Sequence, residues 1–381
     1  MKTEQIPGGH IMPPRLLGAD GKPRPEFTDA NGQLILDEPL GLDKITDRST
    51  LFAVGGDRAN ANPQVAMLNL LFLREHNRLA ALLEAANPGW DDDRVFETAR
   101  NIIIVMFIKV VVEEYINHIN TSVFRFAADP KVAWDADWNR PNWMTAEFSL
   151  LYRWHPLATE TVSWGGAPVA AEGFTLNNQV LIDRGLADAM VQVSANRVGR
   201  LQIGDTPWFL WEVEQKAIEQ ARLNNLDTYN PYRVAMDMDP AKDFADLVGK
   251  TSDPVEKARR AKVAAELKRL YGKVDNVEFY TGLFAEPPNE NGPLPDLILA
   301  MVAMDAFSQA LTNPLLSKYI WGDTVTKDRD RRPQSNRQLA FTDIGLAAIE
   351  DTKTLRDVLV RNSTNLGQRF VGMTRQDWRR T

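Results

Sequence analysis

A mainly α-helical fold with few short strands is what the sequence predicts, and three observations carry the prediction. Apolar residues recur at helical spacing over long stretches, as in Val65, Leu68, Leu71, Leu79 and Leu82. These stretches open at residues suited to helix starts, Asn62-Pro63 and Asp91-Asp92-Asp93. They close at breakers such as Asn87-Pro88-Gly89 and Asn313-Pro314. No internal repeat and no glycine-rich phosphate loop is present.

A chain of 381 residues can bury a large core, built as one big domain or two. With 44% hydrophobic and 25% charged residues it reads as a soluble globular protein. A net charge of -7 and a pI near 5.3 argue against affinity for nucleic acid. There is no cysteine, which rules out disulfides, zinc–thiolate sites and iron–sulfur clusters and leaves the redox compartment open. Met1 to Gly8 has no apolar core of the kind a secretory signal needs, so a cytoplasmic location is expected, with membrane association left open. The densest apolar run, Ile102 to Val112, is short for a transmembrane span and is interrupted by Lys109, so it reads as a buried helix.

Taken in order, residues 1–50 form an extended arm rich in Gly, Pro and Asp. Within it, Phe27 to Ile35 suggests a small hairpin around Asn31-Gly32. The first helix follows Asn62-Pro63 and ends near Asn87. His76 lies inside it beside Glu75, Arg74 and Arg78, and reads as a hydrogen-bonded structural histidine, because no second metal-type ligand shares its face. A second helix runs from Asp91 to about Asn120. Its β-branched run raises a strand alternative, but Glu97, Arg100, Lys109 and Glu113 fit a long helix of roughly 40 Å. Residues 121–145 are irregular. Residues 147–157 read as helix, Thr159 to Ala171 as strand and turn, and 177–197 and 208–226 as helices. Asn230-Pro231 marks a turn, Phe244 to Val248 a short helix, and 254–271 a helix with a solvated charged face. A further apolar helix occupies 295–312. Lys327 to Arg332 reads as solvated linker, and Phe341 to Arg356 as a short helix and strand.

The segment richest in chemistry is Glu147 to Leu157. On a helix, Tyr152 and His155 would share a face, with Cβ atoms roughly 5–6 Å apart. A histidine can hold a haem iron through one ring nitrogen while the other bonds an acceptor, and a phenol beside it could be oxidised to a radical. A packed aromatic patch accounts for the same spacing, and Tyr-x-x-His does not by itself separate the two.

Tyr152-Arg153-Trp154-His155-Pro156-Leu157 resembles the proximal segment of the animal-type haem peroxidases, in their cyclooxygenase (prostaglandin synthase) branch. The likeness extends to Ala53-Val54-Gly55, Leu73 to Arg78, Val111 to Tyr115, Glu278-Phe279-Tyr280 with Gly282-Leu283, and Ala306-Phe307-Ser308, in the family's order. The resemblance implies a helical catalytic domain over residues 51–381 and a haem b cofactor, with His155 as proximal iron ligand and Trp154 packed beside the ring. It implies Tyr152 as radical carrier and Tyr115 as the tyrosine that hydrogen-bonds it. It places Ile116, Ile119, Asn120, Met304, Phe307 and Ser308 along a substrate channel. Met304 stands where the family has a glycine, Ala306 where it has a proline and Asn120 where it has a small serine. The expected channel is therefore narrower, suited to a shorter or differently bent acyl chain.

The implied activity is a fatty-acid dioxygenase or peroxidase: peroxide activates the haem, Tyr152 is oxidised, an apolar substrate loses hydrogen and O2 adds. The alternatives are a peroxidase acting on small donors without oxygenation, and a partner or structural subunit with little turnover. In the family a glutamine and a distal histidine precede the stretch matching Phe27 to Ile35. On this reading a second polypeptide or second copy covers the distal side, His10 being poorly placed to substitute. The family's disulfide-rich and monotopic membrane modules are likewise expected to be missing.

Overall fold

The computed structural model describes residues 1–35, 48–141, 143–289, 292–323, 325–327, 333–363 and 365–375. It is mainly helical with a few short strands, and the chain divides into two compact units. The first comprises Met1–Glu114, Thr161–Arg197 and Tyr319–Arg375. The second contains Tyr115–Glu160 and Val198–Lys318.

The first unit is built on the helices Pro63–Ala86 and Asp92–Val110, which pack on each other. Asn62 caps the earlier helix by accepting from the Val65 N–H at 3.0 Å, and Asp91 caps the later one from Arg94 N–H at 2.8 Å. The helix Gln179–Ala195 packs on Pro63–Ala86, and Asn336–Glu350 on Asp92–Val110. That second crossing is close: a Cβ on Gly345 would lie 2.5 Å from Ile102 Cδ1, so a side chain there would push the two helices apart. Leu355–Arg361 follows as a further helix, held at its start by a capping box of Thr354 and Asp357. The expected strand in 341–356 is therefore replaced by two helices, because the cap at Thr354 starts a new helical turn. Three antiparallel hairpins complete the unit: Glu4–Gln5 with Ile11–Met12, Thr161–Trp164 with Ala167–Ala170, and Val325–Lys327 with Pro333–Ser335. Residues 328–332 of the expected linker lie outside the described residues.

The charged block of the first helix is scaffold. Glu75 is fully buried and accepts from Arg78 twice at 2.8 Å, from Arg361 at 2.9 Å and from Asn362 at 2.6 Å, joining the first and last helices of the unit. Burial alone would raise the Glu75 carboxyl, but these partners hold it below its usual range. His76 is buried, its Nε2 lies 3.2 Å from the Phe96 carbonyl and its ring packs on Phe96. In the arm, Asp29 N–H bonds the Gln33 carbonyl at 2.8 Å and Ile35 N–H the Phe27 carbonyl at 3.0 Å, closing the turn at Asn31-Gly32. His10 sits against Gly185, whose φ of 75° kinks the Gln179–Ala195 helix and leaves no room for a Cβ.

In the second unit, Ala146–Leu151, Trp211–Leu223, Tyr229–Ala235 and Phe279–Ala285 form one packed group, and Asp296–Leu311 packs on the first of them. Asn230-Pro231, expected as a turn, lies in the first turn of Tyr229–Ala235, where the missing proline N–H has no helical partner to lose. A Cβ on Gly282 would stand 2.3 Å from the Tyr229 ring, so glycine is what lets these helices meet. Pro254–Tyr271 ends at Gly272, whose φ of 73° is a left-handed cap. Among the described residues no helix is long and apolar enough to cross a membrane.

Candidate functional site

The expected 147–157 helix stops short. The α-helix is Ala146–Leu151, started by Thr145, whose side chain accepts from Phe148 N–H at 3.1 Å. Tyr152 is its C-cap at φ -91°, ψ 11°, and His155–Leu157 is a separate 3₁₀ turn. Tyr152 and His155 therefore do not share one helix face. The reason is Pro156: an α-helix would need its N–H to reach the Tyr152 carbonyl, and proline has none. Gly199 closes against this turn, with its N–H 2.8 Å from the Leu157 carbonyl and room for no Cβ beneath Pro156 O.

The break arranges three aromatic rings. Trp154 donates from its indole nitrogen to the Leu151 carbonyl at 2.6 Å. Its ring stacks on Tyr152 at 4.9 Å and 17°, and on Tyr115 at 6.4 Å and 26°. Tyr115 lies in the π-helical turn Val111–Ile116, which continues the Asp92–Val110 helix. A π turn carries one extra residue and re-aims the side chains on it, and such turns are frequent at functional sites. The Tyr115 and Tyr152 hydroxyls lie near enough to act on each other's ionisation, and both rings stack on Trp154, so two phenols and an indole form one cluster. Burial, then the neighbouring Tyr152, push the Tyr115 hydroxyl well above the usual phenol range. Tyr152 is raised by burial, which the neighbouring Tyr115 hydroxyl partly opposes and the charge of Asp305 reinforces. Both phenols are therefore held protonated.

His155 is about one-fifth exposed at 22%, and its Nδ1 lies 3.1 Å from Glu214 Oε1. Glu214 stands on the Trp211–Leu223 helix. Its Oε1 also accepts from Thr206 Oγ1 at 2.9 Å, and its Oε2 from the Tyr280 hydroxyl at 2.6 Å. Burial would raise the carboxyl, but the hydrogen bonds from His155, Tyr280 and Thr206 together keep it below its usual range. The same burial, then the adjacent carboxylate, raise the Tyr280 hydroxyl far above its usual range, so it remains a donor. With Nδ1 donating to Glu214, the imidazole lone pair is on Nε2, and no hydrogen bond to Nε2 is formed among the described residues. An imidazole anchored at Nδ1 by a carboxylate, with Nε2 free of protein partners among the described residues, fits a haem ligand. Among the described residues no cluster of three His, Cys, Asp or Glu side chains could hold a bare metal ion.

The residues expected along a channel are distributed unevenly. Ile116, Ile119 and Asn120 are buried. The Asn120 side chain is occupied by the loop after it, donating to the Phe124 carbonyl at 3.1 Å and accepting from Ser122 N–H at 2.9 Å. Phe307 packs on Phe126 at 4.8 Å, and Ser308 Oγ donates to the Asp305 carbonyl at 3.0 Å. Met304 is 62% exposed. Glu214 and Thr206 were not singled out by sequence reasoning, and Tyr280 only as part of a matching block. Glu212, Lys216 and Glu219 share a solvated face, whereas Glu214 lies on the opposite side with the buried Ala217 and Ala221; tertiary packing decides that its partner there is His155.

The family model described as animal haem peroxidase matches residues 20–181 and 213–371. Prostaglandin G/H synthase 2 of Equus caballus is 31% identical over 271 residues, covering 71% of this chain and 43% of that protein. Prostaglandin G/H synthase 1 of Mus musculus is 32% identical over 270 residues, with the same coverage of 71% and 43%. The chain thus spans less than half the length of these relatives. Among solved structures, peroxidase A from Dictyostelium discoideum superposes with a TM-score of 0.69 at 21% identity, over 99% of this chain and 66% of that one. Fatty acid alpha-dioxygenase from Oryza sativa gives 0.66 at 16% identity, over 86% and 60%. At these identities the structural likeness is one of fold.

Proposed function

Because the chain belongs to the animal haem peroxidase family, in its cyclooxygenase and fatty-acid-dioxygenase branch, we propose that it is a haem-dependent fatty-acid dioxygenase with a tyrosyl radical on Tyr152. The observation that carries this reading is the Tyr115–Tyr152–Trp154 cluster three residues from an anchored, metal-competent His155. Haem b, when bound, supplies the oxidising power that peroxide unlocks. His155 holds it through Nε2, and Glu214 keeps the imidazole in the tautomer that leaves Nε2 free. Tyr152 is the group oxidised. Its hydroxyl proton and an electron would be taken up by the oxidant that the cofactor and peroxide supply, with the Tyr115 hydroxyl beside the resulting phenoxyl oxygen. That radical takes a hydrogen atom from an apolar substrate, re-forming the Tyr152 hydroxyl; O2 adds to the carbon radical, and the resulting peroxyl radical takes the hydrogen back from Tyr152, giving a hydroperoxide and restoring the tyrosyl radical.

By the family resemblance the substrate is a fatty acid, with Phe307, Ile116 and Ile119 as apolar wall.

The test uses purified chain loaded with haem, alone and with its native associates. His155→Ala should abolish haem loading or change axial coordination. Tyr152→Phe should retain haem and peroxide turnover of a small phenolic donor, yet lose O2 incorporation into fatty acid. Tyr115→Phe should be milder, changing radical yield or product pattern. An unaltered haem spectrum in His155→Ala, or full oxygenation by Tyr152→Phe, would sink the corresponding assignment.

A further inference from the structure

Glu214 has an arrangement that haem anchoring alone does not require. Its carboxylate receives three donors from three separate segments: His155 Nδ1 at 3.1 Å, Thr206 Oγ1 at 2.9 Å and the Tyr280 hydroxyl at 2.6 Å. A group that accepts three such bonds serves as an acceptor throughout, which is the property of an ionised carboxylate. Among the described residues no lysine or arginine pairs with it, and the nitrogen donor it meets is His155 Nδ1. Its charge is therefore directed at the imidazole. Two of the three donors, Thr206 and Tyr280, are neutral hydroxyls, and each draws electron density from the same carboxylate that His155 uses.

We infer that Glu214 is a positioning residue that sets how strongly His155 donates electron density through Nε2, and that Tyr280 and Thr206 limit that donation. The inference rests on the reading of His155 as haem ligand. A charged acceptor on Nδ1 pulls the N–H proton toward itself and makes the ring more anionic. A more anionic ring binds iron more strongly and favours its oxidised over its reduced form. Removing the charge while keeping the bond should weaken donation. Removing Tyr280's hydroxyl frees the carboxylate to pull harder and should strengthen it. The two substitutions act in opposite directions, which a merely structural role for either residue would not produce.

The test compares the haem-loaded wild type with Glu214→Gln, Tyr280→Phe and His155→Ala. Glu214→Gln should raise the ferric/ferrous midpoint potential, lower the iron–histidine stretching frequency in resonance Raman, and weaken haem retention about 10- to 100-fold. Tyr280→Phe should lower the potential and raise the stretching frequency. In the haem-free chain, proton NMR should place the His155 Nδ1 proton far downfield, and Glu214→Gln should move it upfield. That measurement needs no cofactor and applies even if a variant loads haem poorly. If both variants keep the wild-type potential and stretch while haem binding still depends on His155, the inference is overturned and the haem reading stands. If the Nδ1 proton does not move in Glu214→Gln, the inference is likewise overturned. If His155→Ala retains the wild-type haem spectrum, the haem reading and this inference fall together.

Discussion

Trp154 offers a quantitative test of whether the aromatic cluster is an energetic unit or three neighbouring rings. Two perturbations separate its parts. Trp154→Phe keeps an aromatic face between Tyr152 and Tyr115 but removes the 2.6 Å indole bond to the Leu151 carbonyl, at a net cost of about 0.5–1.5 kcal/mol. Trp154→Leu loses that bond and both ring pairs as well. A favourable aromatic pair contributes roughly 0.5–1.5 kcal/mol beyond burial, and the Tyr115 pair, at 6.4 Å against 4.9 Å, should lie at the lower end. The expected losses are therefore about 1 kcal/mol for phenylalanine and about 2–3 kcal/mol for leucine. Urea titration of the haem-free chain reads these differences directly, since each 1.4 kcal/mol is a factor of about ten in the unfolding constant. Electron paramagnetic resonance of the peroxide-treated haem protein supplies an independent readout. Leucine should broaden the Tyr152 radical signal, because the ring loses the wall that fixes its orientation, and phenylalanine should leave it narrow. If leucine costs no more than phenylalanine and the two radical spectra match, stacking contributes nothing and the cluster argument fails.

Three further expectations concern the scaffold. Glu75→Gln should destabilise the first unit by about 3 kcal/mol, the low end for breaking a buried pair, because Arg78 and Arg361 can reach water. The Glu75 carboxyl is held below its usual range, so its contribution is fully present above about pH 4.5 and is lost as pH falls through the lower folded value; acid titration of the variant should lack that component. Gly282→Ala places a Cβ 2.3 Å from the Tyr229 ring and should cost about 1–3 kcal/mol by overpacking, visible as a lower melting temperature. Gly272→Ala has open space around it but a φ of 73°, so it should cost only about 1–2 kcal/mol through backbone strain; a loss larger than that of Gly282→Ala would reverse the argument.

The sequence by itself determined where most helices lie, because their signals are local. Asn62-Pro63 and Asp91 cap helices whose apolar residues recur at the helical period, and the 254–271 helix ends where Gly272 can turn left-handed. It also determined the family, since the blocks around Leu73 to Arg78, Tyr152 to Leu157 and Glu278 to Leu283 keep their order along the chain. Local reasoning erred where one residue overrides a periodic pattern. Pro156 ends the helix that would have put Tyr152 and His155 on one face, and Thr354 starts a helix where a strand was expected. Only the tertiary structure decided which partners the site residues take. Glu214 is 59 positions from His155; its helical spacing with Ala217 and Ala221 puts it on the buried face, but only folding brings His155 to it. The stacking of Trp154 between Tyr152 and Tyr115 likewise joins the break after Leu151 to a π turn far earlier in the chain. Helices are written in interactions three and four residues apart, whereas a histidine's second nitrogen is satisfied by whatever folding brings within about 3 Å of it.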